Sequence, residues 1–368
     1  MKLKNLILSV ALLAVLSVVA FLANRPAPAP SDDPRVGKAL LDPDTASKAA
    51  VLVVSDQGKK VELVRDPDGT WRDPAYFDMP ADFDKIARFV QDLDEAKVDR
   101  FVTASPDRIA RLDFKDSSIA LKDSGGKQIW SVTLGKAPEN GNGRFVRLGD
   151  EPKAFLSGLH AWLDTDPKSW ADTRLVTIKA DEVSKVAIAF EDGSSIEAAR
   201  EKKDAPWTAK TPAGKILVGE KVNSLLATLT SLRFSDTVDP KDPAAIEAGK
   251  YLRRFTITPF GGAALEVSIG RKPEERRLKA PVADAKELLP PAKDASGTPE
   301  VKPVTPEMET LPAGPVFVAV ASSDAKAPVN ALMARRAFKV DDYVFTGLPQ
   351  KLDDFLEAEK VKEPATRR

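Results

Sequence analysis

The strongest constraint on this chain is that one part of it corresponds to another. VLVVSDQGKKVEL at 51–63 lies over VAIAFEDGSSIEA at 186–198, with Gly58 matching Gly193 and Glu62 matching Glu197. Farther along, Trp71 matches Trp207, Phe101-Val102 matches Thr237-Val238, and GGKQIWSVTLGK at 125–136 matches GGAALEVSIGR at 261–271. The offset stays at 135 or 136 throughout. Chance likeness drifts, so the pattern reads as a tandem duplication of one structural unit.

Either copy can be read physically. AVLVV, SDQG and KKVELVR form two alternating runs around a Gly-ended turn, the pattern of a β-hairpin with one buried face. DPDG at 66–69 is a second turn, and Trp71 opens a third short run. Ile86, Phe89, Val90 and Leu93 then recur at helical spacing behind Asp82, a capping residue, and the second copy repeats this with Val222, Leu225, Leu226 and Leu229. A second hairpin follows, SIALKD and QIWSVTLG in the first copy and FTITPF and ALEVSIG in the second, whose double glycines are expected to supply the positive φ of the turn. Each copy closes with an expected second helix, AFLSGLHAWL in the first and APVNALMARRAF in the second. The fold class is therefore α+β: two tandem copies of antiparallel hairpins packed with amphipathic helices.

The N-terminus carries an address. Lys2 and Lys4 precede an uncharged run from Leu6 to Ala23. At about 1.5 Å per residue this run reaches roughly 27 Å, close to the hydrocarbon thickness of a bilayer. Residues 1–24 are expected to form a transmembrane signal anchor, with the globular part on the extracytoplasmic side of a bacterial cytoplasmic membrane. A cleaved signal peptide, cut after Val18-Val19-Ala20, is the competing reading. RPAPAPSDDP opens a Pro-rich stalk over 25–47. The first repeat is placed at 48–174 and the second at 175–355, with a low-complexity insert near 273–313 and a polar tail at 356–368.

Composition narrows the chemistry. Lys plus Arg and Asp plus Glu both number 55, without the cationic excess that nucleic-acid binding needs. Cys is absent and His160 is the only histidine, so no cofactor and no cysteine or multi-histidine metal site is expected. Ser323-Asp324-Ala325-Lys326 fits S-x-x-K, but neither S-D-N nor K-T-G accompanies it. His160 is expected half-buried beside Trp162, and the pairs Asp66/Asp68 and Asp164/Asp166 read as turn chemistry. In GNGRFVR, Arg144 and Arg147 are candidate contacts for a ligand or partner, with a strand's solvent face as the alternative.

The order of these features resembles a bacterial family catalogued as domain of unknown function 4340. The residues that carry the likeness are Trp71, Pro80-Ala81-Asp82, Val132-Thr133-Leu134-Gly135 and Phe145-Val146-Arg147. Arg111-Leu112-Asp113-Phe114 departs from it, where the family tends to show an aromatic-Gly-Leu turn. Genes of the family often lie beside those of gliding-type ABC exporters, so the resemblance implies an accessory role and supplies no catalytic residues. The expected function is a non-enzymatic interaction platform for ABC transporter subunits. The alternatives are a periplasmic binding module for an envelope glycan, lipid or anionic ligand, and, third, a carboxylate-based hydrolase.

Overall fold

The computed structural model describes residues 33–139, 141–190, 192–278 and 308–359. The anchor expected over 1–24, the first part of the stalk and most of the Pro-rich insert lie outside the described residues. Among the described residues no helix is long and apolar enough to cross a membrane. The chain divides into two compact units, one up to Asp172 and one from Thr173. Both are mixed α+β, dominated by antiparallel sheet.

In the first unit a short helix, α1 (Pro43–Ser47), precedes β1 (Val51–Asp56), β2 (Lys59–Arg65), β3 (Trp71–Asp73) and β4 (Met79–Pro80). Next come α2 (Phe83–Glu95), β5 (Val98–Thr103), α3 (Pro106–Ile109), β6 (Ser118–Lys122), β7 (Gln128–Leu134), β8 (Arg144–Leu148), β9 (Ala154–Ser157) and α4 (Pro167–Trp170). The sheet runs β4-β3-β2-β1-β6-β7-β8-β9-β5. The chain therefore starts in the middle and walks out to one edge, and α2 returns it to the far edge. Alternation explains the buried face: Leu52 and Val54, Val61 and Leu63, Ile119 and Leu121, and Val132 and Leu134 point to one core. Ile86, Phe89 and Leu93 of α2 complete that core. Asp82 caps the helix, accepting hydrogen bonds from the amides of Asp84 at 3.0 Å and Lys85 at 3.2 Å.

The second unit contains β10 (Val183–Ala189), β11 (Ser195–Ala199), β12 (Thr208–Ala209), β13 (Lys215–Leu217), α5 (Gly219–Thr230), β14 (Asp236–Val238), α6 (Pro243–Ala248) and β15 (Leu252–Pro259). It continues with β16 (Leu265–Arg271), β17 (Glu275–Leu278), β18 (Met308–Leu311), β19 (Val316–Ser322), α7 (Pro328–Arg335), β20 (Ala337–Val340), α8 (Asp342–Thr346) and β21 (Leu356–Ala358). Its large sheet runs β12-β11-β10-β15-β16-β19-β20-β14. Val222, Leu225, Leu226 and Leu229 of α5 are all buried.

Several expectations are corrected. AFLSGLHAWL is not helical: Ala154–Ser157 is β9, hydrogen-bonded to β8 on one side and β5 on the other. Beyond it Leu159, Ala161 and Leu163 are buried while His160 and Trp162 are exposed, a period of two that keeps the segment extended along the core. The stalk does not reach residue 47, because Leu40 and Leu41 are buried in the first core and the Leu40 carbonyl accepts a hydrogen bond from Trp130 Nε1 at 2.9 Å. The insert's ends are structured, β17 pairing with β18. The tail begins later than residue 356, because β21 pairs with β13. In each double-glycine turn only the second residue is left-handed, Gly126 at φ 79° and Gly262 at φ 103°.

Candidate functional site

A groove opens at one end of the first sheet. The β1–β2 turn supplies Asp56 and Gln57, the α3–β6 loop supplies Asp113, Lys115, Asp116 and Ser117, and the ends of β7 and β8 supply Leu134, Gly135, Lys136 and Arg144. Ala161, Trp162 and Leu163 of the extended segment close the remaining side of a cavity of about 490 Å³. A second lobe of about 590 Å³ continues past Trp162 to Asp164, Asp166 and Lys59 and shares Asp56, Gln57, Trp162 and Leu163 with the first. Both volumes lie in the roughly 300–1,000 Å³ range of small-molecule sites.

Local chemistry builds these walls. A tight β1–β2 turn needs left-handed residues, and Gln57 at φ 50° and Gly58 at φ 75° provide them. Asp113 is also left-handed, at φ 58°, so an Asp makes the turn at the point where the sequence departs from the aromatic-Gly-Leu pattern. Gly135 sits so close beneath that loop that a Cβ there would lie 2.4 Å from the Leu112 carbonyl oxygen. The chain can approach there only because the position has no side chain.

The groove's charges balance locally. Ser117 Oγ donates to Asp56 Oδ1 at 2.5 Å, and Lys115 Nζ lies 2.9 Å from Asp113 Oδ1. Arg144 Nε donates to the Gly135 carbonyl at 3.3 Å. Burial works against the Asp164 carboxylate, but hydrogen bonds from Lys85 and Ser169 outweigh it and hold the group below the usual range. Around this polar rim Trp162 stands 83% exposed, whereas Trp71, Trp170 and Trp207 are buried.

The two candidate arginines part company. Arg144 lines the groove, whereas Arg147, at an odd separation on the same strand, turns its guanidinium over the Phe114 ring, 5.8 Å from the centroid. Its buried Nε has no hydrogen-bond partner among the described residues. The other singled-out groups are structural. Asp68 binds the Thr70 amide at 2.9 Å, and Asp66 is ion-paired with Arg72. Asp166 caps α4 through the Lys168 amide. Ser323 Oγ accepts from the Ala264 amide at 3.0 Å, and Asp324 Oδ1 from the Lys326 amide at 2.9 Å, which makes S-x-x-K a turn. Among the described residues no group of three His, Cys, Asp or Glu is placed to hold a metal ion. Trp162 and Gln57 were not singled out from the sequence: nothing in it marked LHAWL as extended with its indole outward.

Fold and groove define the class: an α+β protein of broad antiparallel sheets with an open polar groove beside an exposed tryptophan. Residues 71–249 match the family model described as Domain of unknown function (DUF4340), which supports assignment of that span to the family. The match starts at β3 of the first unit and ends just past α6 of the second. No curated protein and no solved structure matches the chain.

Proposed function

We propose that this chain is an envelope protein held at a bacterial cytoplasmic membrane by residues 6–23, with its globular units on the extracytoplasmic side. It acts by binding rather than turnover, as an accessory platform for an ABC-type transport complex. The observation that carries a binding role is the open groove around Trp162, where Asp56, Asp113 and Asp164 are engaged with Ser117, Lys115 and Lys85. The family's genetic association with ABC exporters, implied by the resemblance, supports the choice of partner.

The reading includes descent of the two units from one duplicated unit. Their strand orders support it, since β3-β2-β1-β6-β7-β8-β9-β5 and β12-β11-β10-β15-β16-β19-β20-β14 follow one path, with β4 an extra edge strand of the first unit. So do Gly135 and Gly270, each of which would place a Cβ 2.4 Å from a carbonyl oxygen, that of Leu112 or Ala248, at the end of a short helical segment. One packing constraint thus accounts for the Gly at the same point in both units.

The test is a crosslinking pull-down of the full-length protein from native membranes, with an anchor-swapped control. Recovery of transporter subunits with both proteins is expected, and recovery of nothing above background refutes the platform. The groove also favours a second reading, a binding module for an envelope glycan, lipid or anionic ligand.

A further inference from the structure

We infer that the Trp162 groove is a saccharide-chain site, in which neutral or N-acetylated sugar rings cross the indole from one lobe to the other. The inference rests on the binding-module reading of that groove and names its ligand class. Three properties of the site carry it.

The first is the indole. An exposed tryptophan forgoes the burial that Trp71, Trp170 and Trp207 obtain, and Trp162 keeps 83% of its surface in water at the junction of two cavities. A sugar ring offers an apolar face of C–H groups with hydroxyls around its edge. That is the complement of an aromatic plane ringed by polar groups.

Charge is the second. The first lobe sets Asp56, Asp113 and Asp116 against Lys115, Lys136 and Arg144. A phosphate or carboxylate ligand would approach three carboxylates, and a cationic one three cations, so neither sign is favoured. A hydroxyl both donates and accepts, so carboxylates, the Gln57 amide and cationic N–H groups can all serve one polyhydroxylated ligand.

Continuity is the third property. The lobes share Asp56, Gln57, Trp162 and Leu163, so the site is a trough with the indole at its middle rather than a closed cup for a single ring. Each lobe, at about 490 and about 590 Å³, has room for part of a chain.

The test uses the full-length protein in a detergent without a sugar headgroup, presented to an array of neutral and N-acetylated oligosaccharides of several rings. Titration calorimetry then follows with the best binder. Trp162→Ala is expected to weaken binding at least tenfold and Trp162→Phe to retain most of it. Phe260→Ala, which removes an exposed aromatic of the second unit, is expected to leave it unchanged. Binding of no oligosaccharide at millimolar concentration overturns the inference, as does a Trp162→Ala variant that binds like the parent. Repeating the pull-down with Trp162→Ala separates the two proposals. Transporter subunits recovered while sugar binding is lost leave the saccharide site standing on its own. Subunits lost from a protein that binds no sugar assign the groove to a protein partner and overturn it.

Discussion

Lys85 Nζ lies 2.7 Å from Asp164 Oδ2 and 4.4 Å from the centroid of the Trp170 ring. One cation on α2 therefore fastens the segment that carries Trp162, through an ion pair at one point and an aromatic face at the next. Asp164 in turn lines the second lobe of the groove, so helix packing and groove shape share a residue.

Asp164→Asn is expected to cost about 1–2 kcal/mol, more than an exposed ion pair, because both partners are largely covered. Its carboxyl is held below the ordinary 3.8, so its stabilisation is complete above that value and is lost as pH falls through the lowered folded-state value. Chemical denaturation from pH 6 downward checks this: the gap between parent and variant must narrow below about pH 4. A gap that stays constant would refute the assignment.

Asp73 carries the opposite sign. It is fully buried on β3, where Oδ1 accepts from the amides of Ala75 at 2.9 Å and Tyr76 at 3.3 Å, and Oδ2 has no hydrogen-bond partner among the described residues. Burial is the largest influence on this carboxyl and pushes it above 3.8. Its contribution to stability is therefore present at low pH and lost as pH rises from 3.8 through the folded-state value. Asp73→Asn should remove that part of the pH dependence, and an unchanged stability profile would refute it.

Gly135→Ala and Gly270→Ala are each expected to cost about 3 kcal/mol or more, because the added methyl meets a backbone carbonyl that cannot rotate aside. Gly126→Ala has open space around it and only a left-handed backbone to strain, so about 1 kcal/mol is expected. Urea midpoints of the three variants rank the two effects, and equal losses would contradict the close approach.

Leu41→Ala tests whether the segment before β1 belongs to the first core. Leu41 is fully buried, so a loss of about 2–5 kcal/mol is expected from the cavity it leaves. A residue in a solvated stalk would change stability by less than about 0.5 kcal/mol.

Much of the fold was legible because its signals are local. Alternation gave away β1 and β2, the spacing of Ile86, Phe89 and Leu93 marked α2, and Asp82 announced its start. The candidate site was half legible. Arg144 was singled out and lines the groove, but Arg147 was singled out with it on the same grounds and faces elsewhere. LHAWL misled, because Leu159 and Leu163 are spaced for a helix as well as for a strand. Leu40 and Leu41 misled because they follow a proline-rich stretch whose composition reads as a spacer.

By itself the sequence determined the elements whose periodicity spans a whole turn or hairpin and the absence of cysteine chemistry. Tertiary structure decided the rest. β9 is a strand because β8 and β5 offer hydrogen bonds on both of its edges, and β5 is distant from it in the sequence. Trp162 faces water because Ala161 and Leu163 take the core side. The groove joins residues from 56 to 167 that only the closing of the sheet brings together. Local propensity acts over a few residues, whereas pairing and burial act between segments a hundred residues apart, and where they conflict the longer-range terms win because each satisfies a strand edge or a core face at once.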